Sequence, residues 1–512
     1  MNSNHRATVN GLYTVLLIFM STFSAISVSL ADTAHQLPNV VFIVADTARG
    51  DRVSFNGYER VTTPNLDRLA RDSVTYTRAH SVAPWTLPAH MSMFTGLLPG
   101  EHGATWRAFS EPSDMELKEI FARSFSLADP TQLLTVQLKG LGYRTIAYSS
   151  NTWVAERTGF GEGFDAFYEM WQQDDDYREV FKWLSPGLRE RSFVPEKYNT
   201  LSEMDSGDAG QVLRELRQHK HISAGHDAPF FLFINFIDPH YPYSPPMSWR
   251  YLYGDDRELG EQIAHFEFSE LAMQSGKQPV DVARFSPFYD AEINYFDAAV
   301  GRLLELLREQ GLYDNTLIVI TSDHGEHLGE DGHFSHQFSM QEELLHIPLL
   351  IKYPRNAGQG AIVDNPLVSN IDVFETVLSA ADPGRADKPL ATRSHNLADM
   401  DSFTREFLIA EYDYSLPYLR ANQRVNPDFS EREHSVARRV VFDTKGRYEF
   451  ASADRLAVTA ADADAADSEG YARAAGVLRS YLDGLAESAL QQTDAPMDAE
   501  TLERLRSLGY VD

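Results

Sequence analysis

Three short polar clusters in this 512-residue chain contain side chains that could carry out chemistry. VADTARGD contains Asp46, APWTLPAH contains Thr86, and TSDHGEHLGEDGHFSH contains Asp323 and His324. Two carboxylates and an imidazole suit a divalent cation such as Zn²⁺ or Mn²⁺. A hydroxyl beside such a cation could serve as a nucleophile. Taken singly, each cluster is equally well explained as a turn or a helix cap.

Thr86 lies two residues before Pro88, where the sequence predicts the start of a helix. Threonine is an acceptable N-cap, and proline is tolerated in a first turn because its missing N–H has no intrahelical partner there. The same geometry would aim a hydroxyl and free backbone N–H groups at an anion. These residues alone leave both roles of Thr86 open, a helix cap or a hydroxyl that faces an anion.

The elements that would position these residues are predicted from hydrophobic patterns. The runs NVVFIV, YRTIAYSS, PFFLFINFI, NTLIVITS and IPLLIKY are apolar at nearly every position, which is typical of strands buried on both faces of a parallel sheet. YDAEINYFDAAVGRLLELLREQG has one apolar stripe at helical spacing, and Gly311 is placed to end that helix. Polar residues just past the ends of the strands are Asp46, Asn151, Asp238 to His240, and Asp323 with His324.

Strands that alternate with helices predict an α/β sandwich around a mostly parallel sheet, and ligands meet the carboxyl ends of such strands. We expect a catalytic α/β domain over residues 36–358, with an insertion near the site at 244–288 that lacks a clear period. Residues 359–512 are expected to form a smaller α+β subdomain, in which RRVVFDTKGRYEFAS predicts a hairpin.

Composition and charge exclude several classes of function. The net charge of −29 argues against a nucleic-acid partner, which needs a basic surface, and the absence of cysteine excludes disulfides and thiolate sites.

Residues 1–31 have the pattern of a signal peptide, with Arg6 before an apolar run and Ser29-Leu30-Ala31 as a cleavage site. We expect a periplasmic or secreted protein with no stable membrane span after cleavage, although an uncleaved anchor is the alternative.

Longer blocks of the chain carry a family resemblance. The stretch from NVVFIVADTARGD to LLPGEHG, the blocks FFLFINFIDPHYPYSPP and NTLIVITSDHGE, and the terminal LERLRSLGY resemble the sulfatase family within the alkaline phosphatase superfamily. The resemblance implies an alkaline-phosphatase/sulfatase-like fold and ester hydrolysis. It implies metal ligation by Asp46, Asp323 and His324, and it puts Thr86 at the position of the nucleophile. We therefore expect Thr86 to be both the helix cap and the nucleophile, with its hydroxyl as a further ligand of the metal.

Further site residues follow from the same resemblance. His240, in the DPH block, is similar to a histidine that contacts the ester and its leaving group. His336 falls where the family often has a lysine on the anion. His90 falls where the family has an arginine, and Asn151 lies near a strand end that contacts substrate.

Departures from the family pattern change the expected chemistry. Thr47 replaces the second aspartate of an Asp-Asp pair and His324 stands where calcium sulfatases have asparagine, which favours Zn²⁺ or Mn²⁺ over Ca²⁺. Thr86 cannot be oxidised to formylglycine, and threonine nucleophiles are found in superfamily relatives that act on phosphodiesters or transfer phospho-head-groups. His90 would weaken a bidentate anion clamp.

We therefore expect a metal-dependent hydrolase of sulfate or phosphate esters, with phosphate mono- or diesters chemically favoured. The substrate would be a small-molecule, glycan or lipid ester. The alternatives are a true sulfatase that works without formylglycine, a phospho-head-group transferase, and a binding protein without catalysis.

Overall fold

The computed structural model describes residues 37–106, 123–172, 208–223, 225, 228–265, 269–277, 281–385, 393–452, 468–485 and 490–493. The chain divides into two compact units, Met1–Pro38 and Asn39–Asp512. The expected signal peptide at residues 1–31 lies outside the described residues. Within the described part of the chain, no helix has the length and apolar character needed to cross a membrane.

The strands of the second unit vary from two to seven residues in length. In chain order they are β1 (Asn39–Ala45), β2 (Val74–Tyr76), β3 (Ala79–His80), β4 (Ser124–Leu127), β5 (Arg144–Ser149), β6 (Ala166–Glu169), β7 (Phe230–Phe236), β8 (Thr316–Ser322), β9 (His327–Leu328), β10 (Phe334–Ser335), β11 (His346–Ile347), β12 (Leu349–Lys352), β13 (Ala361–Val363), β14 (Leu408–Tyr412), β15 (Ala437–Asp443), β16 (Gly446–Ser452) and β17 (Leu490–Thr493).

Most of the helices are short. The α-helices are α1 (Pro64–Leu69), α2 (Thr86–Thr95), α3 (Pro99–His102), α4 (Leu134–Gly140), α5 (Asp208–His219), α6 (Met247–Arg250), α7 (Arg257–Ala264), α8 (Glu270–Gln274), α9 (Ser286–Glu309), α10 (Glu342–Leu345), α11 (Val373–Ala381), α12 (Leu416–Val425), α13 (Glu431–His434) and α14 (Glu469–Asp483). Single 3₁₀ turns cover Gly50–Arg52, Ser54–Asn56, Ala70–Asp72, Pro130–Gln132, Glu156–Thr158, Met170–Gln172, Val282–Phe285, Glu330–Gly332, Pro354–Asn356, Asn370–Asp372 and Met400–Ser402.

An eight-stranded sheet in the order β13-β2-β12-β8-β1-β7-β5-β6 forms the centre of the second unit. The five strands from β8 to β6 are parallel, so their carboxyl ends share one edge. β12, expected from its sequence to resemble the parallel strands, runs antiparallel to β8. The connection between them holds β9, the 3₁₀ turn Glu330–Gly332, β10, the one-turn helix α10 and β11, and it has no longer helix of the kind that usually makes a parallel return.

Both faces of this sheet are covered, which explains the unbroken apolar strands. One face packs against α9, whose buried stripe includes Phe296, Val300 and Leu303, and against α5. On the other face Phe94 of α2 packs on Phe42 and Phe233, with ring centroids 6.0 and 4.9 Å away. The α/β sandwich expected from the sequence is confirmed.

The C-terminal part of the chain forms a small antiparallel sheet in the order β14-β15-β16. The expected hairpin is β15 and β16, paired from Ala437↔Ser452 to Asp443↔Gly446. β13 lies just after residue 358, yet it pairs with β2 at the edge of the central sheet. Residues from Asn39 onwards form one compact unit. The expected division of the chain at residue 358 stays a prediction.

Candidate active site

Asp46 and Asp323 are the first residues after two neighbouring strands. β1 and β8 pair in parallel with Ala45 opposite Ser322, so the two aspartates lie side by side at the carboxyl edge of the sheet. Both are fully buried. With His324 they form a group whose candidate ligand atoms all lie within 4.8 Å of one another. The structure thus brings together the three residues that the sequence singled out as metal ligands.

The hydrogen bonds of His324 leave one ring nitrogen available as a ligand. Its Nδ1 is 2.9 Å from the carbonyl oxygen of Gly325, which can only accept, so Nδ1 carries the hydrogen. Nε2 then has a free lone pair and lies 3.3 Å from Oδ2 of Asp323. Burial lowers the pKa of His324 well below its ordinary value. A neutral imidazole held through its other nitrogen is the usual form of a histidine metal ligand.

Each of the two carboxylates has one oxygen that the described part of the chain leaves without a hydrogen bond. Oδ1 of Asp46 and Oδ2 of Asp323 are buried and have no hydrogen-bond partner among the described residues. Burial, followed by the charge of Asp323, raises the pKa of Asp46 well above its ordinary value, and burial also raises the pKa of Asp323. A divalent cation would neutralise both groups and satisfy both oxygens. The residues present therefore fit a metal.

Thr86 lies beside this group, but it is not the helix N-cap. The N-cap of α2 is Trp85, whose backbone is extended (φ −155°, ψ 161°), and Thr86 is the first helical residue. The expectation that Thr86 caps its own helix was wrong. Its hydroxyl faces the site instead, with Oγ1 3.5 Å from Nε2 of His324 and 3.4 Å from the amide nitrogen of Asn151.

Asn151 links the nucleophile candidate to a carboxylate. It follows β5, and its Nδ2 donates to Oδ2 of Asp46 at 2.5 Å as well as lying near Thr86. Its own Oδ1 accepts from the backbone N–H of Trp153 at 2.8 Å, which fixes the orientation of the amide. The side chain is fully buried.

His90 comes one turn after Thr86 on α2 and is also fully buried. Its Nδ1 donates to the carbonyl oxygen of Thr86 at 3.0 Å and is 3.4 Å from Oδ2 of Asp323, while Nε2 is 3.4 Å from Nδ2 of Asn235. Burial lowers its pKa. Both ring nitrogens are therefore engaged with protein groups, and the contact of His90 with substrate stays a prediction.

His240 and His336 form the wall of the site next to His324. The ring centroid of His336 is 4.6 Å from that of His324 and 5.1 Å from that of His240. Nδ1 of His240 donates to the carbonyl oxygen of Tyr241 at 2.5 Å. Burial lowers the pKa of each of the two rings to about 3, and for His240 the neighbouring His336 adds to the effect.

Two residues in this wall were missed by the sequence reasoning. Glu326 is fully buried, and its Oε1 is 3.0 Å from Nδ1 of His336. Burial raises the pKa of Glu326 to about 7. Asn235, the other missed residue, contacts His90 from β7. Glu326 follows His324 by two residues in TSDHGE, so its position after a strand end was a usable signal.

The sequence is similar to those of known sulfatases and of a related alkaline phosphatase superfamily protein. The family profile described as sulfatase matches residues 38–383. The chain is 27% identical over 351 residues to the ulvan-active sulfatase of Formosa agariphila, a match that covers 67% of this chain and 61% of that protein. It is 26% identical over 387 residues to the multifunctional alkaline phosphatase superfamily protein PehA of Trinickia caryophylli, covering 66% of this chain and 73% of that one.

Solved structures resemble the fold over most of its length. The phosphonate monoester hydrolase of Silicibacter pomeroyi superposes with a TM-score of 0.59 at 19% identity, covering 87% of this chain and 94% of that one. The phosphonate monoester hydrolase of Agrobacterium radiobacter gives a TM-score of 0.57 at 20% identity, covering 87% and 96%. At such low identity these matches establish the fold alone.

Proposed function

This chain belongs to the sulfatase family of ester hydrolases, and from that premise we propose that it is an exported, metal-dependent hydrolase that attacks phosphate or sulfate esters through Thr86. Phosphate mono- and diesters are the favoured substrates, carried on a small molecule, a glycan or a lipid. The observation that carries the proposal is the position of Oγ1 of Thr86, within 3.5 Å of both His324 and Asn151 and beside two buried carboxylates.

Asp46, Asp323 and His324 would hold the cation, which supplies positive charge to ionise a nearby hydroxyl and to stabilise anionic ester oxygens. Zn²⁺ or Mn²⁺ suits this donor set, since one of the three ligands is nitrogen. The chain itself orients two of these ligands, because Asn151 holds Asp46 and the Gly325 carbonyl holds His324.

The reaction would proceed in two displacements at the phosphorus or sulfur atom. Oγ1 of Thr86, which loses its proton to solvent before the attack, forms a bond to that atom while the bond to the leaving oxygen breaks and that oxygen takes up a proton. Water then attacks the same atom, and the bond to Oγ1 breaks to regenerate Thr86. Thr86 is supported for this role because it is the first residue of α2, where free N–H groups can face an anion.

His240 is the proposed proton donor to the leaving oxygen. Its Nδ1–H is committed to the carbonyl of Tyr241, so Nε2 is the atom that would hold and deliver the proton. A bound anionic ester would place negative charge beside the buried ring and so favour the protonated form. His336, 5.1 Å away between ring centroids, would contact the ester or the attacking water.

The single hydroxyl of threonine favours phosphorus over sulfur. A hydrated formylglycine can expel sulfate by eliminating through its second hydroxyl, whereas sulfated threonine would have to be cleaved by water at sulfur. Phosphorylated threonine can be hydrolysed at phosphorus, and the larger negative charge on the transferring group is what cationic and hydrogen-bonding groups stabilise best.

A true sulfatase that works without formylglycine is the second candidate. The names of relatives favour it, among them the arylsulfatase of Clostridium perfringens, which is 24% identical over 380 residues. A transferase of phospho-head-groups is the third candidate, and it would require an acceptor hydroxyl in place of water.

The test is a comparison of kcat/KM for nitrophenyl phosphate, bis-nitrophenyl phosphate and nitrophenyl sulfate on metal-loaded enzyme. We expect both phosphate esters to be turned over faster than the sulfate. Faster turnover of the sulfate than of every phosphate ester would favour the second candidate. Thr95→Ala is the matched control for Thr86→Ala. Thr95 is a buried threonine of the same helix, and its hydroxyl bonds to Met91 O and Leu97 N within the part of the chain that the structure describes.

A further inference from the structure

Nδ1 of His336 is held between two oxygen atoms. Oε1 of Glu326 is 3.0 Å away and Oγ of Ser335 is 3.1 Å away. All three side chains are buried. Neither distance alone states which atom carries the hydrogen, since a hydroxyl and an imidazole nitrogen can each donate or accept.

A second carboxylate decides the direction of the serine hydroxyl. Oε1 of Glu270, on α8, accepts from Oγ of Ser335 at 2.5 Å and from Nε2 of Gln274 at 2.9 Å. An oxygen that accepts two hydrogen bonds is the unprotonated oxygen of its carboxyl group. The one hydrogen of Ser335 is therefore directed to Glu270, and only lone pairs of Oγ remain for His336.

We infer that Glu326, together with the Ser335–Glu270 pair, fixes the tautomer of His336 with its hydrogen on Nδ1 and an open lone pair on Nε2. Oγ of Ser335 offers Nδ1 only lone pairs, and the ionised form of Glu326 also accepts, so with Glu326 ionised this arrangement satisfies all three groups. Glu326 and Ser335 are positioning residues, because they act through the imidazole. Ser335 adopts φ 64°, a conformation uncommon for a residue other than glycine, which places its hydroxyl between the ring and Glu270.

With this tautomer, His336 has a different chemistry from the lysine that the family often has at its position. A lysine ammonium offers three donors and no acceptor, whereas this histidine presents an acceptor to the site. In the two-step hydrolysis, Nε2 accepts the proton of the attacking water while the bond from the water oxygen to phosphorus forms and the bond from phosphorus to Oγ1 of Thr86 breaks. This last step rests on the proposed function, but the tautomer does not.

The experiment is ¹⁵N NMR of histidine-labelled, zinc-loaded protein, with the His336 signals identified by their loss in His336→Gln. We expect a protonated Nδ1 and an unprotonated Nε2 in the wild type. The opposite tautomer in the wild type would overturn the inference, because Glu326 would then be the donor. Since this measurement needs neither a variant of Glu326 nor activity, it separates failure of the inference from failure of the proposed function.

Variants at Glu326 extend the test to catalysis. In Glu326→Gln the side-chain amide can donate to Nδ1, so the hydrogen of the ring should move to Nε2. We then expect kcat to fall about 10–100-fold with little change in KM, which is the typical loss when a residue that orients a site histidine is removed. Glu326→Asp should keep the tautomer and recover part of kcat. Glu305→Gln is the control for the loss of one charge, because that carboxylate pairs with Arg302 on the exposed face of α9. An unchanged tautomer and kcat in folded Glu326→Gln would contradict the inference.

Discussion

Asn151→Ala removes the side chain that joins the candidate nucleophile to the candidate metal ligands. The wild-type amide donates to Oδ2 of Asp46 at 2.5 Å, lies 3.4 Å from Oγ1 of Thr86 and accepts from the N–H of Trp153 at 2.8 Å. Oδ1 of Asp46 already has no hydrogen-bond partner in the described structure. In the variant, Oδ2 of this fully buried carboxylate would lose the donor that it has in the wild type.

Two effects follow, one on stability and one on metal affinity. Leaving a buried polar group unpaired costs about 1–3 kcal/mol, so the metal-free variant should unfold at a lower temperature than the metal-free wild type. Loss of an orienting partner of a metal ligand typically weakens metal affinity about 10–100-fold. The metal should restore part of the lost stability, because it supplies the missing partner of Asp46.

The assay is chelator competition for Zn²⁺ together with thermal unfolding at several metal concentrations. Asn65→Ala is the matched control, because Asn65 Nδ2 donates to the buried carboxylate of Asp297 at 2.7 Å on the α1–α9 contact. In this variant the backbone N–H groups of residues 65 and 66 still donate to Asp297, so it should lower stability by a smaller amount and leave metal affinity unchanged. Zinc binding by Asn151→Ala as tight as in the wild type would refute the orienting role of Asn151.

Three further outcomes are expected. Elemental analysis should find a transition metal in preference to Ca²⁺ in the wild type and an empty site in Asp323→Ala, and stoichiometric calcium alone would contradict the ligand argument. His240→Ala should slow alkyl esters more than nitrophenyl esters, since a general acid contributes about 10²–10⁴ and matters most for poor leaving groups; equal losses would remove it from that role. Burial lowers the pKa of His102 to about 3, below its ordinary 6.5. Between these two pH values the unfolded chain binds a proton that the folded protein does not. The free energy of unfolding is therefore undiminished above pH 6.5 and falls by up to about 1.4 kcal/mol per pH unit as the pH falls toward 3. His102→Gln should show a shallower loss in acid unfolding curves, and an unchanged slope would count against this assignment.

The sequence was sufficient to predict the strand ends of the site. Each long strand is apolar at nearly every position because it is covered on both faces, so a polar cluster just past its end marks the edge of the sheet. Asp46, Asn151 and Asp323 were found in this way, and the structure brings all three together. Parallel pairing of β1, β7 and β8 aligns their carboxyl ends, so separation along the chain was no obstacle.

The hydrogen-bond partners of the site were beyond prediction. The surroundings of His336 include Glu270, 65 residues from Ser335, and that contact depends on how α8 packs against β10. Thr86 was expected to cap its helix because threonine commonly does so, but the extended backbone of Trp85 starts the helix one residue earlier. The threonine hydroxyl is thereby left to face His324.

The most direct test of the central claim is identification of the residue that becomes covalently modified during turnover. Metal-loaded enzyme is mixed with bis-nitrophenyl phosphate, quenched in acid within the first turnover, digested and analysed by mass spectrometry. The account predicts one phosphoryl-type adduct on Thr86, absent from Thr86→Ala, together with a loss of kcat/KM of at least about 10³ in that variant. An adduct on another residue, or Thr86→Ala with wild-type turnover, would contradict the role of Thr86 as nucleophile.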